Sequence, residues 1–427
     1  MANDTRLSAV VMAAGLGTRM RSATPKHLHP LLGRPMVDWV LAAVQPLSPD
    51  PVVLVASPET ADGFGEVGAI VAVQEQPRGT GDAVASARAS LDGADGDVLV
   101  LSGDTPLVTE ELLQTLVNGH RASGADVTVL SLAMDEPGDY GRVVRDESGR
   151  LAAIVEARDA TPEQLEISEV NSSLYVFSAP ALWQAVDLLD SHNAQGELYL
   201  TDCVRHIVEG EGFGHVVEAF EPTLALGVNT RVELAGAAET LRDRINERHM
   251  LAGVTIVDPA STWIDADVEL EADVTIHPFT VIRGNVRVAR GVEIGPFCYV
   301  RPGTTLDEDA KAGTFVEVKN SRIGARTKVP HLSYVGDADI GEDTNIAAGN
   351  ITANFPHEKG RGKQRTTIGR NVRTGVDNAF LAPVTIGDNA WVAAGSVITE
   401  DVPPGALAIA RARQENKEGY AGGDSHD

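Results

Sequence analysis

The sequence has little cysteine. Cys203 and Cys298 are the only two cysteines among 427 residues, and they stand far apart. A disulfide framework or a cysteine-bound metal site needs several cysteines at characteristic spacings. The sequence therefore excludes proteins stabilised by a set of disulfides and proteins that bind metal through cysteine clusters.

Long apolar runs are also missing. No stretch reaches the roughly 18 consecutive apolar residues that a transmembrane helix requires. The first residues do not show a basic stretch followed by an apolar core, so we expect no signal peptide. Together these two features favour a cytoplasmic protein.

Basic residues are scarce relative to acidic ones. The chain has 35 Lys and Arg against 61 Asp and Glu, a formal net charge of −26. This charge repels nucleic acid and anionic membranes, so we expect neither as a partner. With 427 residues, 43% of them hydrophobic, the chain is predicted to be globular, with two or three domains. An anionic substrate would need a locally basic pocket.

In the first half, short apolar segments alternate with helical patterns. Alternation of this kind predicts βαβ units around a mostly parallel sheet, whose ligands bind at the carboxyl ends of the strands. The strand-like segments include 52–55, 98–101 and 127–130, and the helical ones include 36–44 and 110–116.

In the second half, apolar residues recur every six positions. Nine rungs in register predict a parallel β-helix, in which each hexad forms one short strand and one turn. The register slips near Ile323 and the pattern returns at Ile386, after a loop at 356–365. One column is Leu270, Ile276, Ile282, Val288, Ile294, Val300, Leu306, Ala312 and Val318, and a second runs from Val274 to Val316.

A single helix is predicted between the two halves. Leu234, Ala237, Leu241 and Ile245 recur at helical spacing between charged residues. The predicted segments are a first domain of 1–229, a helical linker of 230–251, a β-helix domain of 252–411 and a polar, disordered tail of 412–427.

The most informative segment runs from residue 11 to residue 26. A strand-like apolar run breaks into a loop with two glycines, which let backbone N–H groups approach an anion. Arg19 and Lys26 add positive charge suited to a polyphosphate. The spacing fits neither the Walker pattern nor the dinucleotide fingerprint. The string VMAAGLGTRM, with the later Pro25-Lys26, resembles the signature of the sugar-1-phosphate nucleotidylyltransferases.

This resemblance implies an α/β, Rossmann-like nucleotidylyltransferase domain that uses UTP, a sugar 1-phosphate and Mg²⁺. Asp104 and Asn229 match the family's metal ligands, and their oxygen atoms suit this hard cation. Arg19 and Lys26 would have a catalytic role, because they neutralise phosphate charge. Positions that match UTP or sugar contacts are Ala13, Ala14, Gly15, Lys26, Gln76, Gly79, Thr80, Gly141, Glu156, Asn171, Tyr199 and Asn229.

Two groups within this set have distinct expected roles. The segment 74–76, which includes Gln76, and the segment 79–81 resemble the family's uracil-reading region. An amide can pair with a base edge as donor or acceptor. Glu156 and Asn171 match positions that contact the sugar hydroxyls and the acetamido group.

The β-helix carries a second resemblance, strongest in the string KVPHLSYVGDADIG at 328–341. Both halves together resemble the bifunctional N-acetylglucosamine-1-phosphate uridylyltransferase/glucosamine-1-phosphate N-acetyltransferase family of bacterial cell-wall precursor synthesis, as far as about Arg411. This implies a left-handed β-helix, acetyl-CoA as acetyl donor, and sites between the subunits of a homotrimer. His331 matches the general base, and imidazole is suited to accepting a proton near neutral pH.

The remaining matches in the β-helix support this base. Glu317 matches the carboxylate that orients the histidine. The other matched positions are Arg301, Lys319 and Tyr334 for phosphate, Asn345 and Asn354 for the sugar and acetyl group, and Ala394 and Arg411 for coenzyme A.

The chain also departs from the family pattern. About two coils of the β-helix are missing after residue 286, which should preserve the stacking. The loop 356–365 replaces a shorter Asp-Gly turn. The individual substitutions are Phe355 for a tyrosine, Val376 for a serine, Ser172-Ser173 for a small residue and glycine, and Asp82 for a histidine. The first two remove hydroxyls from the acetyltransferase site, and we expect the others to alter sugar preference.

Three functions remain open from the sequence. The leading hypothesis is a bifunctional enzyme that acetylates glucosamine 1-phosphate and then couples N-acetylglucosamine 1-phosphate to UTP, releasing pyrophosphate. The second is a uridylyltransferase, for this or a related sugar 1-phosphate, whose β-helix mainly trimerises. The third is a scaffold that binds nucleotide sugars without turnover, which the presence of Arg19, Lys26, Asp104 and Asn229 disfavours.

Overall fold

The computed structural model describes residues 5–15, 17–65, 68–91, 93, 95–356, 360 and 362–420. Residue 16 of the predicted phosphate loop, residues 357–359 and 361 of the predicted insertion, and residues 421–427 of the predicted tail lie outside the described residues. The chain divides into two compact units, Met1–Thr240 and Leu241–Asp427. The division falls inside the segment 230–251.

The first unit alternates strands and helices. Its strands are β1 (Leu7–Met12), β2 (Pro30–Leu31), β3 (Arg34–Pro35), β4 (Val52–Ala56), β5 (Ile70–Val73), β6 (Asp97–Ser102), β7 (Val127–Ala133), β8 (Arg142–Arg145), β9 (Leu151–Val155), β10 (Glu169–Ser178) and β11 (Gly214–Glu218). Its helices are α1 (Met36–Val44), α2 (Thr80–Ala87), α3 (Glu110–Ser123), α4 (Pro162–Leu165), α5 (Ala179–Val186) and α6 (Leu200–Glu209), and α7 (Arg231–Leu251) follows.

Nine of these strands form one sheet. The order is β11-β7-β10-β6-β1-β4-β5, with the β8–β9 hairpin beside β10. β1 pairs in parallel with β4 and β6, whereas β10 runs antiparallel to β6 and β7. The predicted α/β domain is thereby confirmed, but the sheet is mixed rather than mostly parallel, because four of its pairings are parallel and four are antiparallel. Ala9 and Val11 belong to one buried cluster, and Val10 and Met12 to another, because successive strand residues face opposite sides.

The second unit consists of short parallel strands in stacked coils. One stack contains Thr255–Ile256, Thr275–Ile276, Glu293–Ile294, Lys311–Thr314 and Lys328–His331. The next contains Trp263–Ile264, Val281–Ile282, Tyr299–Val300, Glu317–Lys319, Tyr334–Gly336, Ile351–Ala353, Ala379–Leu381 and Val397–Ile398. A third contains Glu269–Leu270, Arg287–Val288, Thr305–Leu306, Arg322–Ile323, Ala338–Ile340, Thr366–Ile368 and Val384–Ile386. The last contains Arg373–Thr374, Trp391–Val392 and Leu407–Ala408.

The six-residue period determines this stacking. Ile276 pairs with Ile294, and Ile294 with Ala312, so one coil takes 18 residues. The coil from Ala312 to Val329 takes 17, which confirms the slip expected near Ile323. The side chains of these positions are buried inside the coils. Parallel stacks with a hexapeptide period are those of a parallel β-helix, as the sequence predicts.

The helix α7 agrees closely with the one expected from the sequence. Thr230 Oγ1 accepts a hydrogen bond from Glu233 N, and Glu233 Oε2 accepts one from Thr230 N. This reciprocal pair is a capping box, and it fixes where the helix begins. Across the described ranges, no helix combines the length and apolar character needed to cross a membrane.

Candidate active sites

The carboxyl ends of β1 and β6 meet at one edge of the first sheet. Gly103 N donates a hydrogen bond to Met12 O at 2.8 Å, and a side chain on Gly103 would meet Met12 O at 3.0 Å. After β1, Gly17 adopts a φ of 61°, and a Cβ there would lie 2.4 Å from Lys26 Cβ. The glycine therefore lets the loop cross close over Lys26.

Lys26, Asp104 and Asn229 form the centre of this edge. Lys26 Nζ donates to Asp104 Oδ2 and to Asn229 Oδ1, the second at 2.6 Å. Arg19 Nη2 also donates to Asn229 Oδ1, at 2.9 Å. The Lys26 side chain is 8% exposed and the Asp104 side chain 15%. The structure thus brings together the four residues predicted for catalysis and metal binding in this unit.

The charge of Asp104 is held by its neighbours. Burial acts to raise the pKa of Asp104, but Lys26, His27 and the hydroxyl of Ser102 together keep it below its ordinary value. Ser102 Oγ donates to Asp104 Oδ1 at 2.6 Å. Burial lowers the pKa of His27 to about 4. Asp104 is therefore a carboxylate at neutral pH beside an uncharged imidazole.

Asn229 is positioned by the start of α7. Asn229 N donates to Glu233 Oε2 at 2.6 Å, next to the capping box. Val228 N donates to Asp104 O at 2.8 Å. These backbone bonds attach the segment before α7 to the end of β6, so the side chains of Asn229 and Asp104 lie together.

The arrangement fits a divalent cation. The ammonium of Lys26 lies between one carboxylate oxygen and one amide oxygen, so the two oxygens already accept a positively charged group. Mg²⁺ is commonly bound through one or two protein oxygens, with water and substrate phosphates completing its shell. The described residues contain no group of three or more His, Cys, Asp or Glu that would hold a metal without the substrate.

A cavity of about 240 Å³ opens beside this centre. Six predicted residues line it: Arg19, Asp104, Gly141, Glu156, Asn171 and Asn229. Burial raises the pKa of Glu156, and Asp159 and Asp202 raise it further against a hydrogen bond from Thr201. Asn171 N donates to Gly141 O, and Asn171 Nδ2 donates to Tyr175 OH at 2.6 Å. The Asn171 side chain is therefore fixed in the cavity wall.

Other predicted residues of this unit lie at the loop after β5. Thr80 Oγ1 accepts from Leu200 N at 3.0 Å, which ties this loop to the start of α6. A Cβ on Gly79, whose φ is 115°, would lie 2.5 Å from Leu198 O. Tyr199 is buried, and its hydroxyl accepts from Gln195 Nε2 at 2.9 Å.

The predicted contacts from the backbone of residues 13–15 and from Gln76 differ in whether the group already has a partner within the protein. Ala13 N donates to Val55 O within the fold, whereas Ala14 N and Gly15 N have no partner in the described ranges. Gln76 is exposed, and Gln74, which the site prediction omitted, is buried at the end of β5. The alternation of the strand, which turns every second residue inward, was the available signal for Gln74.

In the second unit, Arg301 and Glu317 form a pair on adjacent coils. Arg301 Nη1 donates to Glu317 Oε1 at 2.8 Å. Tyr299, Glu317 and Tyr334 lie at the same register position of three successive coils. Arg301, rather than His331, is the partner of Glu317 within the described part of the chain.

Asp337 is the centre of a second cluster, which the sequence did not single out. Lys319 Nζ lies 3.1 Å from Asp337 Oδ2, Asn320 Nδ2 donates to Asp337 Oδ1 at 2.6 Å, and Asn354 Nδ2 donates to Oδ2. Burial acts to raise the pKa of Asp337, but these bonds keep it lowered. Asn354 Nδ2 also lies 3.4 Å from Tyr334 OH. Lys319, Tyr334 and Asn354 are therefore brought together.

Lys363 brings a second amine close to Lys319 in this cluster. Its contact with Lys319 lowers the pKa of Lys363. The proximity of two amines was not visible from the sequence, because Lys363 lies within the long loop at 356–365.

His331 ends a strand that pairs with Lys311–Thr314. Thr314 lies beside it in register, and the His331 side chain is exposed with no hydrogen-bond partner in the described ranges. Asn345 lies one coil further, in register with Lys328. A Cβ added to Gly395 would lie 3.9 Å from Arg411 Cδ. Arg411 is therefore close to the residue that directly follows Ala394.

The residues that depart from the family pattern lie in different surroundings. Phe355 and Val376 are both exposed. Ser173 adopts a φ of 63°, the left-handed conformation that favours the glycine usual in the family. Ser172 Oγ donates to Leu130 O at 2.7 Å, inside the sheet. Asp82 is buried in the first turn of α2.

Comparison with known proteins agrees with both units. Residues 9–189 match the MobA-like NTP transferase domain, and residues 267–302 match the six repeats of the bacterial transferase hexapeptide family. Fold and site thus define a nucleotidyltransferase domain joined to a hexapeptide-repeat β-helix.

Curated relatives match nearly the whole chain. The bifunctional protein GlmU of Mycobacterium tuberculosis (strain ATCC 25177 / H37Ra) is 45% identical over 457 residues, covering 97% of this chain and 92% of the relative. The protein of the same name from Streptomyces coelicolor is 46% identical, covering 97% of this chain and 93% of the relative. The chain belongs to the family of bifunctional GlmU proteins. An alignment of 457 residues exceeds the 427 of this chain, so the relative carries residues that this chain lacks.

The pair of Lys26 and Asp104 leads to a pH-dependent prediction. Because the folded pKa of Asp104 is lowered, its stabilising effect is present above its unfolded pKa and is lost as the pH falls through the folded pKa. Lys26→Met would leave a buried, unpaired carboxylate and cost about 3 kcal/mol of unfolding free energy at pH 7. We expect this cost to shrink as the pH falls toward 4, because burial without the Lys26 ammonium raises the pKa of Asp104 in the variant, which then takes up a proton and becomes neutral.

Urea unfolding between pH 4 and pH 8 measures this difference. Arg19→Met, which removes an exposed cation from the same centre, is the matched control and should show a small cost that changes little with pH. A cost of Lys26→Met that is constant over this range would contradict the ion-pair interpretation.

Proposed function

We propose that this chain is a bifunctional enzyme of UDP-N-acetylglucosamine synthesis. The second unit transfers an acetyl group from acetyl-CoA to glucosamine 1-phosphate. The first unit then transfers the uridylyl group of UTP to N-acetylglucosamine 1-phosphate and releases pyrophosphate. The observation that carries the proposal is the ammonium of Lys26 between Asp104 and Asn229, at the edge of the sheet where nucleotides bind.

Asp104 and Asn229 would hold Mg²⁺ together with the substrate phosphates. When bound, the ion supplies charge that stabilises the developing negative charge on the transferring phosphate. The lowered pKa of Asp104 supports this role, because the ligand is already ionised at neutral pH. Lys26 would then turn its ammonium from these oxygens to the phosphates.

The uridylyl step needs no covalent enzyme intermediate. A phosphate oxygen of the sugar phosphate attacks the α-phosphorus of UTP, a new P–O bond forms, and the bond to pyrophosphate breaks. Arg19 and Lys26 neutralise the phosphates, and Ala14 N and Gly15 N offer backbone donors. Glu156 and Asn171, in the wall of the cavity, orient the sugar.

In the acetyl step, His331 accepts a proton from the sugar amine as nitrogen attacks the thioester carbonyl. The C–S bond breaks and coenzyme A leaves as the thiol. Arg301, Lys319 and Tyr334 would bind the sugar phosphate, and Asn345, Asn354, Ala394 and Arg411 would contact the sugar, acetyl group and coenzyme.

We also propose a homotrimer with the acetyltransferase sites between subunits. His331 is exposed, and Glu317 is paired with Arg301 instead of His331. A second chain packed against this face would complete the surroundings of His331. We further propose that the enzyme acts in the cytoplasm.

The uridylyl activity is tested by pyrophosphate release from UTP and N-acetylglucosamine 1-phosphate with Mg²⁺. We expect turnover by the wild type, and we expect Asp104→Asn to lower kcat/KM by about 100-fold or more, because a charged ligand is lost. Glu111→Gln, an exposed carboxylate on α3, is the matched control. No pyrophosphate release by the wild type, or full activity of Asp104→Asn, would overturn this half of the proposal.

The acetyl activity is tested separately by thiol release from acetyl-CoA with glucosamine 1-phosphate. We expect His331→Ala to lower thiol release by about 100-fold, the scale of a lost general base, while pyrophosphate release stays unchanged. The alternative is a uridylyltransferase with a trimerising β-helix, which Phe355 and Val376 favour because hydroxyls are lost there. Wild-type protein that releases pyrophosphate but no thiol would support that alternative.

A further inference from the structure

Asp82 is a buried carboxylate beside the loop proposed to read the nucleobase. It is 5% exposed, directly after Gly81, in the first turn of α2. A buried carboxylate requires donors, and it has two. Gln74 Nε2 donates to Asp82 Oδ2 at 2.8 Å, and Arg78 Nη2 donates to Oδ1 at 2.6 Å.

These contacts determine which way the amide of Gln74 faces. Gln74 Nε2 also donates to Gly79 O, at 3.0 Å. A carboxylate and a backbone carbonyl are acceptors only, so the nitrogen of the amide must face both of them. The reversed amide would place its oxygen against two other oxygens.

The oxygen of Gln74 is thereby left available. No partner for Gln74 Oε1 occurs in the described part of the chain, and this atom is not among the buried side-chain atoms that lack a partner. This atom is therefore not fully enclosed, although Gln74 as a whole is only 5% exposed, and it lies at the end of β5, at the same edge of the sheet as the loops after β1 and β6. An oxygen of this kind, whose amide cannot reverse, is an acceptor of fixed direction.

We propose that Asp82 is a positioning residue for nucleotide selection, which fixes Gln74 as a hydrogen-bond acceptor for the N3–H of uracil. Uracil carries a donor at N3, whereas cytosine carries an acceptor there and would face the Gln74 oxygen without a hydrogen bond. A buried or desolvated acceptor left unpaired disfavours binding of the wrong base. This inference rests on the proposed uridylyl transfer and adds the residue that enforces the choice between pyrimidines.

The substitution Asp82→Asn tests the role with little change in shape. Arg78 would take the amide oxygen of the new asparagine, so its NH₂ group would face Gln74, and Gly79 O alone would then oppose reversal of the Gln74 amide. We expect the KM for UTP to rise about tenfold with kcat within about twofold, and the UTP-to-CTP ratio of kcat/KM to fall about tenfold. Steady-state kinetics of the full chain with each nucleotide measure these quantities.

Two further variants separate positioning from a structural role. Gln74→Met removes the amide, so it should lower the same ratio, and adding Asp82→Asn to it should lower the ratio no further. Ser86→Ala is the control, because Ser86 Oγ donates to the backbone oxygen of Asp82 and not to its carboxylate. It should leave the ratio unchanged.

The outcomes distinguish this inference from the proposed function. Wild-type protein without UTP turnover would refute the uridylyl transfer itself. If the wild type turns over UTP and the UTP-to-CTP ratio of kcat/KM is unchanged in Asp82→Asn, the positioning role is overturned. This includes the case in which activity falls equally with both nucleotides. If Asp82→Asn does not fold, an unchanged ratio in Gln74→Met overturns the role by itself.

Discussion

The first unit depends on the ion pair between Lys26 and Asp104. The segments after β1 and β6 contribute Lys26 and Asp104 to it, and the segment before α7 places Asn229 beside them. Backbone bonds join the end of β6 to the end of β1 and to the segment before α7. The buried carboxylate is stable only because a cation lies against it. We propose that the same arrangement lets Asp104 and Asn229 accept a second cation. The centre therefore serves both the stability of the fold and its proposed chemistry.

In the second unit the constraint is the six-residue period. It places Tyr299, Glu317 and Tyr334 at one register position of successive coils, so polar side chains distant in sequence become neighbours. Whole coils can be added or removed without disturbing this register, since each coil contacts only the adjacent ones. The charged cluster around Asp337 lies where the coil shortens to 17 residues and a long loop follows.

Much of the fold could be predicted because its signals are local. The helix Met36–Val44 has the bounds expected from the sequence, and both six-residue columns are buried except for Leu270, which is half-buried. The helix α3 runs further than expected, to Ser123, because Leu116, Val117 and His120 continue its buried face. Contacts between side chains distant in sequence were harder to predict. Asp337 gathers Lys319, Asn320 and Asn354 across several coils, and no local pattern contains that register.

The candidate sites show the same division. The meeting of Lys26, Asp104 and Asn229 was anticipated from motifs, whereas the burial of Gln74 and the exposure of Gln76 depend on which way the end of β5 turns each side chain. Likewise, Glu317 pairs with Arg301 rather than His331 because adjacent coils of the same chain bring these two side chains together. Sequence motifs locate these segments, and tertiary contacts decide the hydrogen-bond partner of each side chain.

The central claim is that the position between Asp104 and Asn229 receives the catalytic cation once the nucleotide is bound. A crystal structure with Mn²⁺ in place of Mg²⁺ and with UDP-N-acetylglucosamine tests it through the anomalous signal of the metal. We expect one peak at about 2.0–2.3 Å from oxygens of both Asp104 and Asn229, with the Lys26 ammonium moved to the phosphates. A metal peak away from these two residues, with Lys26 still between them, would contradict the claim.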